Sequence, residues 1–104
     1  MTLESLALRK LLAARRDEFQ MLLDRYGATN PKLLGSVARG TATAGSDIDI
    51  LVEMDPADGN VLMRASGLLE DTRALFERDD IDVFPAQLLK RPVSASALAE
   101  AVPL

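Results

Sequence analysis

The segment Ser46–Glu53 constrains the fold more than any other part of the sequence, because its residues alternate as a β-strand requires. It reads Ser-Asp-Ile-Asp-Ile-Leu-Val-Glu. Successive side chains of a strand point to opposite faces, so Ile48 and Ile50 share one face. Asp47 and Asp49 lie on the other. The pattern predicts a strand with one apolar face for a core and one face that carries two neighbouring carboxylates.

Helical and strand patterns alternate along the rest of the chain. Apolar residues recur at helical spacing from Thr2 to Gly27 and again from about Asn60 to Arg78. The other predicted elements are a strand at Lys32–Leu34, a helical turn at Val37–Arg39, a strand at Ile81–Phe84, a turn at Gln87–Lys90 and a closing helix at Ser94–Val102. The length of 104 residues suits one domain. This order predicts a single α/β (α+β) domain over residues 1–104, with helices packed on a small mixed β-sheet.

Single residues predict the ends and faces of the two long helices. Thr2 is suited to cap the first helix and Gly27 to end it. Four basic residues of this helix are interpreted as a solvated face or, alternatively, as a partner-binding face: Arg9, Lys10, Arg15 and Arg16. The inner stripe predicted for the second helix comprises Leu62, Ala65, Leu69, Thr72, Leu75 and Phe76.

Composition excludes several kinds of chemistry. The chain has no cysteine and no histidine, which removes thiol nucleophiles, serine–histidine triads and ordinary zinc sites. Its net charge of -4 disfavours direct binding of nucleic acid, which usually needs a basic face. No apolar run is long enough to span a membrane, and the N-terminal residues do not form a signal peptide. We therefore expect a cytoplasmic protein without membrane contact.

Asp47, Asp49 and Asp82 are the candidate catalytic and metal-binding residues. Two aspartates at positions i and i+2 of a strand repel each other, and aspartate has poor strand propensity. A divalent cation between the two carboxylates would offset this cost. Asp82 stands in a second short apolar strand, so it can join them if the strands are neighbours. Carboxylates favour Mg²⁺ or Mn²⁺, and Asp82 can also take a proton from an attacking hydroxyl. The alternative is a solvated sheet face on which each aspartate is simply exposed.

The pair Gly35-Ser36 is the candidate phosphate-binding turn. A glycine after a strand and a serine that opens a helical turn can present N–H groups and a hydroxyl to phosphate oxygens; an ordinary turn is the alternative. Thr41-Ala42 stands where a P-loop requires Lys and Ser/Thr, so this is not a P-loop. Arg39 either reaches nucleotide phosphates or pairs with Asp47. Ser46 is interpreted as shaping the loop before the strand.

Together these motifs resemble a known signature. Gly35-Ser36, ten intervening residues and Asp47-Ile48-Asp49 resemble the nucleotidyltransferases related to DNA polymerase beta. More closely, Leu33–Gly40 and Ser46–Glu53 resemble the minimal nucleotidyltransferase (MNT) proteins of bacteria and archaea. Many of these are antitoxins encoded beside a HEPN-domain ribonuclease toxin. The similarity is dense over residues 33–54 and loose toward Asp82 and the C-terminus, and it implies a nucleotidyltransferase fold.

The resemblance also implies roles for individual residues. Gly35 and Ser36 would bind the triphosphate of ATP, and Asp47, Asp49 and Asp82 would hold Mg²⁺. The implied reaction is the transfer of AMP from ATP to a tyrosine hydroxyl of the toxin, within a hetero-oligomer.

Two other functions stay open. The protein could neutralise its partner by binding alone, or it could be a nucleotide-sensing domain without turnover. The chain departs from the family at Leu34, where an aromatic residue is frequent, and at Pro103, where a tyrosine often stands. Both departures concern packing or the partner interface rather than the aspartates.

Overall fold

The computed structural model describes residues 1–86 and 99–104. Its elements are α1 Leu3–Ala14, α2 Arg16–Tyr26, β1 Ala28–Leu34, α3 Gly35–Arg39, β2 Ile48–Met54, a 3-10 helix Pro56–Asp58, α4 Val61–Phe76, β3 Ile81–Pro85 and β4 Val102–Pro103. The predicted turn at Gln87–Lys90 and most of the predicted closing helix Ser94–Val102 lie outside the described residues, although Val102 itself belongs to β4. Among these residues, no helix combines the length and hydrophobicity that a bilayer crossing requires.

The four strands form one mixed sheet in the order β3-β2-β1-β4. β1 runs antiparallel to both β2 and β4, whereas β2 and β3 are parallel. Parallel neighbours need a crossover connection, and α4 provides it between β2 and β3. The predicted fold class, helices packed on a small mixed sheet, is confirmed.

One face of the sheet packs against the helices. Alternate residues of β2 are completely buried: Ile48, Ile50, Val52 and Met54. They form one core with apolar residues of the helices, among them Leu12, Leu23, Val37 and Leu68. Burial of a large aliphatic side chain stabilises a fold by roughly 1.5–3 kcal/mol, so this core holds the helices to the sheet. The opposite face of β2 is left to carry Asp49.

The predicted ends of the first helical region are confirmed, but its continuity is not. The Ser5 N–H donates to Thr2 Oγ1 at 3.1 Å, which caps α1. Gly27, with φ of 66°, ends α2 in the left-handed conformation. Between them, Arg15 (φ -110°, ψ 19°) separates two helices where one was expected. Neither glycine nor proline stands at the break, so the local sequence contains no signal for it.

Most of the predicted inner face of α4 is confirmed. Ala65, Thr72 and Phe76 are buried, and Leu69 and Leu75 are partly buried and pack against the core. Leu62 was expected in the core but is 64% exposed, whereas Leu68 is completely buried. The buried stripe of α4 is Ala65, Leu68, Thr72 and Phe76. Since α4 carries apolar residues on more than one side, periodicity alone does not fix the margins of the inner face, where Leu62 was included and Leu68 omitted.

Two strand boundaries also differ from the prediction. β1 begins at Ala28, because its register with β2 continues past an irregularity between Thr29 and Lys32. Such a bulge accommodates Pro31, which has no N–H to donate to a sheet. β2 begins at Ile48, so Asp47 directly precedes the strand instead of lying within it.

Candidate active site

The candidate site lies where β1 ends and β2 begins, on the sheet face opposite the core. Leu34, the last residue of β1, is the register partner of Asp49 in β2. On the other side of β2, Asp49 is the register partner of Asp82 in β3. Neighbouring strands are about 5 Å apart, and register partners share a face. The sheet therefore places Asp49 between Asp82 and the start of α3.

Gly35 makes the close approach at this point possible. It begins α3 with φ of 73°, in the left-handed region that other residues rarely adopt. A Cβ atom at this position would lie 3.2 Å from Oδ2 of Asp49. The first N–H groups of a helix have no partner within it. Consequently, the N-terminal end of α3, where the helix itself provides no acceptor for the first N–H groups, is adjacent to the Asp49 carboxylate.

Asp49 lies in an unfavourable environment for a negative charge. Burial raises the pKa of its carboxyl above the ordinary value, and the nearby carboxylates of Asp82 and Asp47 raise the pKa further. Asp49 is half-buried, whereas Asp47 is exposed. Carboxylates that disfavour one another's charge favour a proton or a cation near them. Their oxygen atoms are the donors that hard divalent cations prefer.

Asp82 differs from Asp49 because it has a cationic partner. Nη2 of Arg73 donates to Oδ1 of Asp82 at 2.9 Å, and Nε of Arg73 donates to the Ile81 carbonyl at 2.8 Å. Arg73 was not among the predicted site residues. The signal that could have found it is the short connection of residues 77–80, which brings the last turn of α4 against the start of β3.

The structure brings the three predicted carboxylates to one region without closing them into a cluster. Asp49 and Asp82 are register partners, and Asp47 stands just before β2. Within residues 1–86 and 99–104, no three acidic side chains are grouped closely enough to enclose a metal ion. Because Arg73 engages one oxygen of Asp82, that carboxylate is drawn toward α4.

The other predicted nucleotide-binding residues belong to α3. Ser36 is its second residue and is half-buried. Arg39 stands at the opposite end of α3, where its Nη1 lies 3.7 Å from Oε2 of Glu100. Asp47 was one of two partners considered for Arg39, and the structure pairs Arg39 with Glu100 instead. Both side chains of this pair are about half exposed, 47% and 50%, so the pair is weak.

The loop before β2 has the form that Ser46 predicts. The Thr43 N–H donates to Oγ of Ser46 at 2.8 Å, and the Ser46 N–H donates to the Thr43 carbonyl at 3.0 Å. These reciprocal bonds close a tight turn. The Ile48 N–H then donates to the Asp80 carbonyl at 2.9 Å, so Asp47 is held between two fixed backbone positions.

Comparisons with known proteins agree with this geometry. The model of the nucleotidyltransferase domain family matches residues 22–103. A solved structure designated as a minimal nucleotidyltransferase is similar to the chain, with 33% sequence identity and a TM-score of 0.75. The similarity covers 91% of this chain and 94% of that one. No curated protein matches the chain. Because the family match spans most of the sequence, including every candidate site residue, the chain belongs to the nucleotidyltransferase domain family.

Proposed function

We propose that the protein is an adenylyltransferase, dependent on Mg²⁺ or Mn²⁺, that moves AMP from ATP to a tyrosine hydroxyl of a partner protein. The partner would be a HEPN-domain ribonuclease toxin, for which this chain would be the antitoxin. Family membership supports nucleotidyl transfer. The observation that carries the proposal is the position of the half-buried Asp49 carboxyl, which lies opposite Asp82 in the sheet and against Gly35 at the start of α3. Burial, Asp82 and Asp47 also raise its pKa. Perturbed carboxyls of this kind are concentrated at functional sites.

Nucleotidyltransferase domains typically use nucleoside triphosphates and divalent metal ions. The carboxylates of Asp47, Asp49 and Asp82 have the donor chemistry for such an ion, and the raised pKa of Asp49 marks a place that favours positive charge. These three residues would hold it after the Asp82 carboxylate leaves Arg73, because the described acidic side chains are not grouped closely enough to do so as they stand. When bound, the ion would neutralise negative charge on the reacting phosphates.

The residues of the chain would bind the nucleotide and accept a proton. The N–H groups of Gly35 and Ser36 would donate to oxygens of the β- and γ-phosphates, as would the Ser36 hydroxyl. Arg39 would reach the phosphates after leaving Glu100. In the transfer, the acceptor oxygen bonds to the α-phosphorus, the bond from that phosphorus to the bridging oxygen breaks, and pyrophosphate leaves. Asp82, which is exposed, would take the proton of the acceptor hydroxyl.

The proposed acceptor is a protein and not a nucleic acid. A net charge of -4 gives no general attraction for a phosphate backbone. The exposure of Asp82 leaves the proposed proton acceptor within reach of a side chain from another molecule. The choice of a HEPN toxin, and of a hetero-oligomer, is supported by the resemblance of residues 33–54 to MNT proteins.

One observation favours a second function, in which the protein neutralises its partner by binding alone or senses a nucleotide without turnover. In the Arg73–Asp82 ion pair, one oxygen of the carboxylate that would accept the proton is bound to Arg73. In a protein without turnover this pair would persist when nucleotide binds.

The proposed function is tested by incubating the protein with ATP, Mg²⁺ and the HEPN-domain partner, and measuring the intact mass of the partner. We expect the partner to gain one or more AMP units. Asp49→Asn should abolish this gain. Asp58→Asn is the matched control, because Asp58 is exposed in the 3-10 helix outside the site.

The alternatives give different results. A stable, inhibited complex with an unchanged partner mass would contradict transfer and favour neutralisation by binding. An equal mass gain with Asp49→Asn would contradict the assigned site. Tight Mg-ATP binding with neither complex nor mass gain would favour a nucleotide sensor.

A further inference from the structure

Helix α1 is joined to the segment that follows the candidate phosphate-binding turn. Its residues Ser5 and Arg9, together with its N-cap Thr2, bond to the backbone of residues 37–42. This segment contains the end of α3 and the start of the loop that leads to β2. The family match begins at residue 22, so family membership assigns no role to α1.

Arg9 caps the C-terminal end of α3. Its Nε donates to the Val37 carbonyl at 3.2 Å, and its Nη2 donates to the Ala38 carbonyl at 2.5 Å. The Val37 carbonyl also accepts from the Gly40 N–H at 3.3 Å, so Arg9 adds to the backbone cap of this helix end. Its positive charge also compensates the partial negative charge there. Arg9 was interpreted as part of a solvated or partner-binding face, and that interpretation is wrong, because its guanidinium is directed into the chain.

Thr2 and Ser5 satisfy both backbone groups of Ala42. The Ala42 N–H donates to Ser5 Oγ at 2.8 Å, and Thr2 Oγ1 donates to the Ala42 carbonyl at 2.6 Å. The Thr2 N–H also donates to the Gly40 carbonyl at 2.8 Å. Ser5 and Ala42 are completely buried. A buried polar group that loses such a partner destabilises a fold substantially. These hydrogen bonds therefore fix the position of α1 against residues 40–42.

The attachment acts on the site through the length of α3. This helix has only five residues, or about 7.5 Å of rise. Gly35 at one end approaches Asp49, and Arg9 holds the carbonyls at the other end. A helix this short has little stability of its own. Its orientation, and therefore the direction of its first N–H groups, depends on what holds the far end.

We propose that Arg9 is a positioning residue for nucleotide binding, and that α1 braces α3 so that its N–H groups are preorganised for the triphosphate. This inference rests on the proposed function, because it takes the triphosphate of Mg-ATP as the ligand of α3. Preorganisation raises affinity by lowering the entropy lost on binding. Loss of the brace should therefore weaken nucleotide binding more than it slows the chemical step.

The test compares Arg9→Met, which keeps an unbranched apolar stem but removes the guanidinium, with Lys10→Met. Lys10 is exposed on the same helix and controls for the loss of one positive charge. Two quantities are measured: hydrogen exchange of the amides of residues 37–42 without ligand, and the dissociation constant for Mg-ATP. We expect Arg9→Met to accelerate exchange and to raise the dissociation constant about tenfold, or roughly 1.4 kcal/mol. Lys10→Met should change neither.

Turnover separates positioning from a general loss of structure. Arg9→Met should raise KM for ATP while kcat changes little, and Arg9→Lys, which keeps the charge but not the planar fork, should restore part of the affinity. If Arg9→Met does not fold, Ser5→Ala removes the acceptor of the Ala42 N–H and should loosen the same segment.

Unchanged exchange and affinity in Arg9→Met would overturn the inference. Failure of the proposed function looks different. In that case the wild-type protein would bind no Mg-ATP, yet Arg9→Met would still accelerate exchange in residues 37–42, which would support the brace while removing its proposed ligand.

Discussion

Two aspartates near the N-terminal ends of the neighbouring strands β2 and β3 have opposite electrostatic environments. Asp80, just before β3, accepts from Nε and Nη2 of Arg78 at 2.7 and 2.5 Å, and this hydrogen bonding lowers the pKa of its carboxyl. The pKa of Asp49, within β2, is raised by burial and by Asp82 and Asp47. The fold thus neutralises the Asp80 carboxylate with the Arg78 side chain and leaves the Asp49 carboxylate near other negative charges.

The difference separates a structural carboxylate from a candidate functional one. A lowered pKa means that the folded state favours the charged form of Asp80, so its ionisation stabilises the protein. A raised pKa means that ionisation of Asp49 destabilises it. A charge retained against stability is understandable if a ligand outside the chain compensates it. The Arg78–Asp80 pair therefore has a structural role, and Asp49 is the candidate for a functional one.

The largest expected effect is on activity. Asp49→Asn should lower AMP transfer by about 100-fold or more, because charged groups that position a phosphoryl transfer act mainly in the transition state. Asp80→Asn should leave the activity of the folded protein within about twofold, since it removes no group from the proposed mechanism. Initial rates at saturating Mg²⁺ measure both. Equal losses in the two variants would break the proposed distinction between these aspartates.

The next effect is on the backbone that adjoins Asp49. Gly35→Ala should lower the free energy of unfolding by about 1–2 kcal/mol, because φ of 73° is unfavourable for alanine. The new Cβ would also lie 3.2 Å from Oδ2 of Asp49. Urea denaturation measures the change. Gly45→Ala is the control, because Gly45 has no positive φ and a Cβ there would meet no atom within 4 Å.

Asp80→Asn should lower the free energy of unfolding at neutral pH by about 1 kcal/mol, the upper range for a partly exposed ion pair. Because the folded-state pKa of Asp80 is below the ordinary value of 3.8, its contribution is present above that pH and is lost as pH falls through the folded-state pKa. Denaturation curves should therefore show a difference in the free energy of unfolding between wild type and Asp80→Asn at pH 7 that narrows near pH 3. A difference independent of pH would contradict the ion pair between Arg78 and Asp80.

Arg73→Met should strengthen binding of a divalent cation by up to about fivefold. The pair it removes is exposed, and such pairs contribute at most about 1 kcal/mol. Release from Arg73 would leave both oxygens of Asp82 available to the cation. Titration with Mn²⁺ followed by electron paramagnetic resonance measures the affinity. Arg25→Met is the control, because it removes another exposed pair, Arg25–Asp71. Weaker binding in Arg73→Met would show that Arg73 instead orients Asp82 for the cation.

The smallest effect is on the stability of the metal-free protein. The folded-state pKa of Asp49 is above the ordinary value of 3.8. The wild-type protein therefore loses stability as pH rises from 3.8 through the folded-state pKa of Asp49. Asp49→Asn avoids this loss, so it should melt slightly higher than wild type at pH 7 in a chelator. The difference should shrink as pH falls toward 3.8. A lower melting temperature at pH 7 would contradict the unfavourable environment of Asp49.

The parts of the site that sequence analysis predicted are those encoded by near neighbours. The alternation around Asp49 predicted its strand and its place on the face opposite Ile48 and Ile50, and Gly35 marked the end of β1. Ile81–Phe84 was predicted as a strand and forms most of β3. By contrast, Arg73 was missed, because its partner Asp82 is separated from it by the end of α4 and a turn. The guanidinium of Arg9 was misinterpreted for the same reason: its acceptors, the Val37 and Ala38 carbonyls, are distant in the sequence.

By itself, the sequence determined the local elements: the caps at Thr2 and Gly27, the apolar face of β2 and the chemistry of its carboxylates. Helix capping and strand alternation depend on residues only a few positions apart, so they can be read from the chain. Only the tertiary structure decided that β2 and β3 pair with Asp49 opposite Asp82, and that α1 holds the end of α3. Those contacts depend on which buried faces pack together, and the periodicity of one element does not name the element it packs against.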